Sequence, residues 1–370
     1  MPLGLRDGRK HLSFHGKADM PDLRNFNIGP HLVGGSRRCF VIGEIAQAHD
    51  GSLGAAHAYI DAAAKAGVDA VKFQTHIADA ESSHEEPWRV KFSPQDETRF
   101  AYWKRMEFSE DHWRGLKDHA ERLGLVFIST PFSDQAVDML DRLGMTVWKV
   151  ASGEVNNPML MDRMMATGKP VLLSSGMSSI AELDQVVAKL QVKLHPFAVL
   201  QCTSNYPTPP EKLGLNLLEE YRARYGCPVG LSDHSGTIYA GLAAATLGAD
   251  ILEVHVTFSR EMFGPDVIAS VTSTELAKLV EGIRFIERAK DNPIDKDALA
   301  AGFDTMRRTF TKSLYAAADL AAGTVLEKHH LVAKKPGTGI RVDQIESILG
   351  RRLAANVPVG TMLKLSDMVL

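Results

Sequence analysis

The chain has 370 residues, of which 45% are hydrophobic and 24% charged, and its formal net charge is −3. Such values are typical of a globular protein long enough for one large domain and a small one. They give no reason to expect nucleic acid or a membrane as a partner. The three cysteines lack CxxC spacing, which argues against a disulfide framework or a cysteine zinc site. We therefore expect a cytoplasmic protein.

A short apolar run, a helical period of about 3.6 residues and then a glycine follow one another eight times along the chain. The glycines, such as Gly67 and Gly124, lie where a helix ends in a left-handed C-cap. The predicted strands are Phe40–Ile45, Ala70–Gln74, Val126–Thr130, Val147–Ala151, Val171–Ser174, Ala198–Cys202, Val229–Ser232 and Ile251–Val256. Eight such units predict a closed (β/α)8 TIM barrel. An open doubly wound sheet is disfavoured, because no GxGxxG follows the first strand.

The remaining stretches divide the chain around this barrel. Residues 1–36 are rich in glycine, histidine and charge without the apolar core of a signal peptide, and we interpret them as a loose leader. Residues 37–290 form the predicted barrel, and the polar stretch 291–309 is predicted to be a linker. Residues 310–370 contain short β-branched runs and turn signals, which predict a small β-rich module.

The ends of the predicted strands carry the candidate functional residues, because TIM-barrel active sites lie at the C-terminal ends of the strands. Lys72 and Lys149 each lie inside an apolar run, where an ammonium group needs a compensating anion. Two lysines in one barrel mouth predict a ligand with at least two negative charges. Hydroxyl side chains at the same strand ends together predict a phosphate site, although each serine alone is more often a cap for the next helix than a ligand contact. They are Thr130, Ser152, Ser174, Ser175 and Ser232.

Two consecutive strands end in histidine: His234 follows the seventh strand and His255 lies at the end of the eighth. Neighbouring strands lie about 4.8 Å apart, so two such side chains can share one ion. A lone histidine there is usually only a hydrogen-bonded side chain, but the pair favours a divalent metal site with open positions for substrate. Glu44 ends the first strand, next to the eighth in a closed barrel, and is predicted to act as a base or to hold a substrate hydroxyl.

The combination of motifs resembles the sialic acid synthase (NeuB-type) family, which condenses phosphoenolpyruvate with an N-acylated amino sugar. The matching stretches run in the family's order over residues 37–290, and they are "GEIAQAHDGS", "AGVDAVKFQTH", "STPFS", "WKVASGEVNN", "LSSGMSS", "QCTSNYPTPP", "GLSDHSG", "EVHVTF" and "GPD". The C-terminal part resembles the antifreeze-like (SAF) domain that follows the barrel in these synthases. Phosphoenolpyruvate and an amino sugar are therefore the expected small-molecule partners.

The resemblance implies a role for each candidate residue. His234 and His255 would bind the divalent metal, which is usually Mn2+ in this family, with Mg2+ or another divalent ion as alternatives. Lys72, Lys149, Thr130, Ser152, Ser174 and Ser232 would hold the phosphate and carboxylate of phosphoenolpyruvate. Glu44, Ser204, Tyr206, Asp266 and Lys335 would lie near the sugar. The resemblance also implies a domain-swapped homodimer, in which Lys335 or Arg341 of one chain reaches the sugar bound by the other.

Some features leave the acceptor sugar open. Relatives often carry Arg-Pro-Gly where this chain has Lys335-Pro336-Gly337, and lysine cannot make the bidentate contact of a guanidinium. The segment Glu85–Phe108 is also distinctive, and it would overhang the barrel mouth after the second strand. The acceptor is N-acetylmannosamine, a sugar of the legionaminic or pseudaminic type, or an unacylated one. Another phosphoenolpyruvate-dependent 3-deoxy-ulosonate synthase, a Schiff-base aldolase and a carbohydrate-binding protein are the alternative functions.

Overall fold

A computed structural model describes residues 23–35 and 38–369 of the chain. The chain forms two compact units with a boundary between Asp291 and Asn292. The first unit contains the strands β1 (Asn25–Ile28), β2 (His31–Gly34), β3 (Phe40–Ala46), β4 (Ala70–Thr75), β5 (Val126–Pro131), β6 (Trp148–Val150), β7 (Val171–Ser174), β8 (Phe197–Cys202), β9 (Val229–Asp233), β10 (Ile251–Thr257) and β11 (Val271–Thr272). All eight predicted strands are present, with bounds that differ by at most one residue from those predicted.

The eight parallel strands form a barrel in the order β5-β4-β3-β10-β9-β8-β7-β6, and the short strand β11 pairs with the end of β10. The end strands β5 and β6 are in contact, so the barrel is nearly closed. The helices of this unit are α1 (Leu53–Ala66), α2 (Ala78–Glu81), α3 (Arg99–Met106), α4 (Glu110–Arg122), α5 (Asp134–Arg142), α6 (Pro158–Ala166), α7 (Ile180–Val192), α8 (Leu217–Tyr225), α9 (Tyr239–Thr246) and α10 (Ser273–Lys290). The predicted TIM barrel is confirmed.

The lower half of the barrel is filled by an apolar inner core. Strand residues such as Phe40, Ile42 and Ile251 point inward, where they pack against one another. The antiparallel hairpin of β1 and β2 inserts Ile28 and Val33 into the same core, and both side chains are fully buried. The prediction of a loose leader is therefore wrong for residues 25–34, because their alternating apolar side chains close the bottom of the barrel. Residues 1–22 and 36 of the predicted leader lie outside the described residues.

The second unit begins with two short helices, α11 (Lys296–Ala301) and α12 (Asp304–Phe310), in the stretch predicted as a linker. An antiparallel pair follows, formed by β12 (Ser313–Ala316) and β13 (Leu331–Lys334). Several isolated bridges and a separate apolar core, which includes Leu314 and Leu363, complete a small β-rich module. The three cysteines are free and buried. Within the described part of the chain, no helix combines the length and apolarity of a membrane span.

Candidate active site

The two-residue period of the strands decides which side chains enter the barrel. On β10, Ile251 belongs to the inner core, so Glu253 and His255 point into the barrel above it. On β4, Ala70 belongs to the same core, and Lys72 follows two residues later on the same face. The register pairs Glu44 with Lys72 on one side and with His255 on the other. A carboxylate, an ammonium and an imidazole therefore lie at one level of the barrel.

A cavity of about 70 Å³ lies at this level, at the C-terminal ends of the strands. Ten of the residues predicted from the sequence line it: Glu44, Lys72, Thr130, Lys149, Ser152, Ser174, Tyr206, Ser232, His234 and His255. Gln74, Ala151, Cys202 and Glu253 complete the wall. The structure thus brings together side chains that are spread over more than 200 positions of the sequence, while their individual roles stay predictions.

The two lysines are compensated by carboxylates of the protein itself. Lys72 Nζ lies 2.8 Å from Glu44 Oε1 and 3.7 Å from Glu253 Oε1. Lys149 Nζ lies 3.6 Å from the same Glu253 oxygen and donates a hydrogen bond to Ser174. Glu44 and Glu253 therefore already compensate the two lysines, so burial of the lysines does not by itself require a ligand with two negative charges. Binding of an anionic ligand by the lysines stays a prediction.

Burial and charge act on these groups in opposite directions. Burial raises the pKa of Glu253, but Lys149 and Lys72 outweigh it and hold that pKa at about 2. Glu44 has only Lys72 this close, so burial dominates and raises its pKa above the ordinary value. Burial lowers the pKa of Lys149, whereas the pKa of Lys72 is raised because Glu253 and Glu44 outweigh its burial. Glu253 is thus the ionised centre of the group.

Two carboxylate oxygens in the cavity wall have no hydrogen-bond partner among the described residues. They are Oε2 of Glu44 and Oε2 of Glu253, and both are buried. A buried carboxylate oxygen without a donor costs free energy, and native structures normally satisfy such atoms. A ligand that carries hydroxyl groups, or a cation with its water, would supply the missing partners.

The two histidines lie side by side, with ring centroids 5.1 Å apart. His234 Nδ1 is 3.0 Å from the carbonyl oxygen of Thr203, and its second ring nitrogen, Nε2, lies on the side of Tyr206. Burial and the neighbouring His255 lower the pKa of His234 to about 3, so its imidazole is neutral and keeps a lone pair for a cation. Among the described residues, no three or more His, Cys, Asp or Glu side chains are grouped to hold a metal. The pair therefore fits a divalent ion only as two protein ligands, with substrate or water as the others.

The residues predicted to contact the sugar lie in different places. Tyr206 stacks on His234 with ring centroids 4.2 Å apart, and its hydroxyl is 3.3 Å from His234 Nε2. Asp266 lies at the rim, 3.8 Å from His255 Nδ1. Ser204 lies beside Ser152, since a Cβ added to Gly176 would meet both hydroxyls at 2.6 and 2.7 Å.

Lys335 belongs to the second unit, where its ammonium lies 5.3 Å from the ring centroid of Phe310. The guanidinium of the nearby Arg341 is ion-paired with Asp343. The structure therefore tests neither residue as a sugar contact.

Glu253 is the functional residue that the sequence reasoning missed. It lies two residues before His255 in the run Ile-Leu-Glu-Val-His-Val, so the period of the strand already placed it on the inward face. The argument that identified Lys72 and Lys149, a charge inside an apolar strand, applies to it equally. Cys202, whose Sγ lies 3.8 Å from His234 Nδ1, carries no such signal, because cysteine is ordinary in a buried strand.

Comparisons with known proteins agree with the geometry. Residues 59–295 match the model of the NeuB family, and residues 311–369 match that of the SAF domain. The chain is 33% identical to an N,N'-diacetyllegionaminic acid synthase of Legionella pneumophila, over 89% of this chain and 94% of that protein. The identity is also 33% to the human N-acetylneuraminate-9-phosphate synthase, over 88% and 91%.

The chain belongs to the NeuB family. A solved relative, the N-acetylneuraminic acid synthetase of Leptospira borgpetersenii in complex with citrate, superimposes with a TM-score of 0.67 at 29% identity. That likeness covers 77% of this chain and 98% of the relative. The resemblance drawn from the motifs is confirmed, and with it a synthase-type enzyme composed of a TIM barrel and a SAF domain.

Proposed function

We propose that this NeuB-family enzyme condenses phosphoenolpyruvate with the open-chain form of an N-acylated amino sugar, giving a nine-carbon 2-keto acid and phosphate. The observation that carries the proposal is the convergence of Lys72, Lys149, Glu253, His234 and His255 on one cavity at the C-terminal face of a NeuB-family barrel. The relatives named for neuraminate and legionaminate synthesis support this reaction class. N-acetylmannosamine and its diacetamido-trideoxy analogues are the acceptors that we propose to compare first.

The chemistry forms one carbon–carbon bond and one carbon–oxygen bond, the latter from water, and breaks the carbon–oxygen bond that joins C2 to the phosphate. C3 of phosphoenolpyruvate attacks the aldehyde carbon of the sugar, water adds at C2, and phosphate leaves with the oxygen that bridged it to C2. Lys149 and Lys72 would hold the anionic groups of phosphoenolpyruvate, together with the hydroxyls of Thr130, Ser152, Ser174 and Ser232. Glu44, whose pKa is raised by burial, would exchange a proton with the substrate or hold one of its hydroxyls.

A divalent metal fits the donor set described above, and we propose Mn2+ with His234 and His255 as its ligands. When bound, the ion would supply positive charge to the aldehyde oxygen as that oxygen becomes an alkoxide. The adjacent imidazoles, with ring centroids 5.1 Å apart, and the contact of His234 Nδ1 with the Thr203 carbonyl support this assignment. The protein's own contribution is to orient the His234 imidazole through the Thr203 carbonyl, while Asp266 lies 3.8 Å from His255 Nδ1.

The alternative activities make different demands on the same residues. A Schiff-base aldolase needs a neutral lysine, and Lys149, whose pKa is lowered by burial, is the candidate for that role. Borohydride would then trap Lys149 covalently on a carbonyl substrate. Another 3-deoxy-ulosonate synthase would release phosphate but would prefer an acceptor that lacks the acylamino group. Membership of the NeuB family favours the amino sugar over both.

The proposal is tested by phosphate release from phosphoenolpyruvate in the presence of each acceptor, together with the mass of the product. Phosphoenolpyruvate labelled with oxygen-18 at the bridging position should give labelled phosphate. Label recovered in the keto acid would reject the order of steps given above. No phosphate release with any amino sugar, with Mn2+ present, would reject the function itself.

A further inference from the structure

The segment Glu85–Phe108, which we call the overhang segment, builds a second cavity beside the first. It contains α3 and has its own small core, in which Tyr102, Trp103 and Met106 pack on Ala78. Together with residues 204–206 and 264–268 it encloses about 410 Å³. Trp88, Phe92, Tyr102 and Trp103 supply most of the aromatic wall, and such rings suit the apolar faces of a sugar.

Tyr206 is common to both cavities. Its ring stacks on His234, in the first cavity, and the guanidinium carbon of Arg89 lies over the same ring, 5.0 Å from its centroid. The two cavities therefore adjoin at Tyr206, and a ligand whose reactive end lies at the histidines can extend past this residue into the second cavity.

Two arginines, Arg89 and Arg99, line the second cavity. The one carboxylate in the stretch 264–268, Asp266, is not among the lining residues and lies 3.8 Å from His255 in the first cavity. Arg99 Nε is ion-paired with Glu86 Oε1 at 2.7 Å. Arg89 is exposed and makes no ion pair with any residue that the structure describes. The cation–π contact with Tyr206 holds the guanidinium carbon of Arg89 near the cavity wall. A guanidinium presents planar N–H donors that suit the oxygens of a phosphate or carboxylate.

We propose that Arg89 binds an anionic substituent of the acceptor sugar, a phosphate ester in the first instance, at the end of the sugar remote from the aldehyde. The inference rests on the proposed function, and it narrows the acceptor class from amino sugars in general to those that carry a negative charge. Arg89 then determines specificity and takes no part in bond formation. Its guanidinium would contribute charge-assisted hydrogen bonds, each of which is worth about ten- to hundredfold in affinity.

The test compares N-acetylmannosamine with its 6-phosphate in two ways, for the wild type and for Arg89→Gln and Arg89→Lys. Calorimetry measures binding of each sugar without turnover, and phosphate release gives kcat/KM. Arg114→Gln is the matched control, because Arg114 is an exposed arginine on the outer helix α4, ion-paired with Glu110 at 3.1 Å.

We expect the wild type to bind the 6-phosphate more tightly than the plain sugar, with a preference that falls about ten- to hundredfold in Arg89→Gln. Arg89→Lys should recover part of the preference for the 6-phosphate, because lysine keeps the positive charge but lacks the planar donors of a guanidinium. Arg114→Gln should keep the wild-type preference.

Equal binding of the two sugars by the wild type overturns the inference, and so does a preference that survives Arg89→Gln. A variant that instead raises the KM for phosphoenolpyruvate assigns Arg89 to the donor and overturns it as well. Failure of the proposed function is distinct, since it shows as absent phosphate release with every acceptor, whatever the calorimetry gives.

Discussion

The carboxylate of Glu253 lies 3.6 Å from the ammonium of Lys149, although β10 and β6, which carry them, are not neighbours in the sheet. The contact spans the barrel interior, so it exists only because the sheet closes. Glu253 also accepts a hydrogen bond from Ser232 Oγ at 3.1 Å, within the same wall. One buried anion thus holds the polar side chains of several strands in one arrangement.

Glu253→Gln should impair both folding and activity. The substitution leaves Lys149 without its counter-ion and Lys72 with Glu44 alone. Removing one partner of a buried ion pair lowers the free energy of unfolding by roughly 3–5 kcal/mol. Urea unfolding should show a loss of this size, and phosphate release should fall at least about a hundredfold. Glu261→Gln, at an exposed position, is the control that should leave both unchanged. Wild-type stability in Glu253→Gln would show that the lysines do not depend on this anion.

Removal of the metal should abolish activity. Loss of even an outer-shell partner of a metal ligand costs about 10–100-fold, so His234→Ala and His255→Ala should each lower phosphate release by more than that. A chelator should have the same effect on the wild type, and Mn2+ should restore activity best. His329→Ala, with 68% of its side chain exposed in the second unit, is the control. Full activity in excess chelator would refute the metal assignment.

Acid should loosen the overhang segment. Arg105 donates hydrogen bonds to Asp96 at 2.7 and 3.1 Å and thereby lowers the pKa of that carboxyl. A lowered pKa in the folded state gives stability that is fully present above the unfolded value, about 4, and is lost as the pH falls through the folded value.

Asp96→Asn should therefore destabilise the segment at pH 7, with a difference from wild type that shrinks below about pH 4. Trp88 and Trp103 lie in the segment, so hydrogen exchange and tryptophan fluorescence report on it directly. Asp111→Asn, on the exposed face of α4, serves as the control. A stability difference between the wild type and Asp96→Asn that stays constant with pH would show that Arg105 does not depend on the charge of the Asp96 carboxylate.

The hairpin at the barrel bottom should contribute to global stability. Ile28 is 0% exposed within the inner core, and its truncation to alanine should cost about 2–5 kcal/mol. Leu32, on the same hairpin but 40% exposed, gives the matched control Leu32→Ala, for which we expect less than about 0.5 kcal/mol. Equal effects of the two substitutions on urea unfolding would mean that the hairpin does not belong to the cooperative core.

The domain-swapped homodimer that the family resemblance implies would allow complementation between inactive variants. His234→Ala disables the barrel, and an inactivating change at Lys335 or Arg341 disables the module. In a swapped dimer, subunit exchange creates one site with both halves intact, so activity should return. Exchange verified by mass without recovered activity would reject capping by the partner chain.

The barrel and most of its mouth could be predicted from local signals in the sequence. Apolar strands, 3.6-residue helical periods and glycine caps are local signals, and they placed each of the eight barrel strands within one residue. Because TIM-barrel sites lie at strand ends, the same signals brought Lys72, Lys149, His234 and His255 to one cavity. The family motifs then added the reaction class.

The pairing of buried lysines with glutamates and the walls of the site could not be predicted in this way, because both depend on the closed fold. Whether two buried lysines need a ligand depends on what faces them across the barrel, and the facing Glu253 lies far along the chain. The hairpin at residues 25–34 gave no strong local signal, since four-residue strands are stabilised mainly by the core that they cover. The position of Arg89 over Tyr206 likewise follows from packing of the overhang segment, because such long-range contacts are set by the closed fold and not by neighbouring residues.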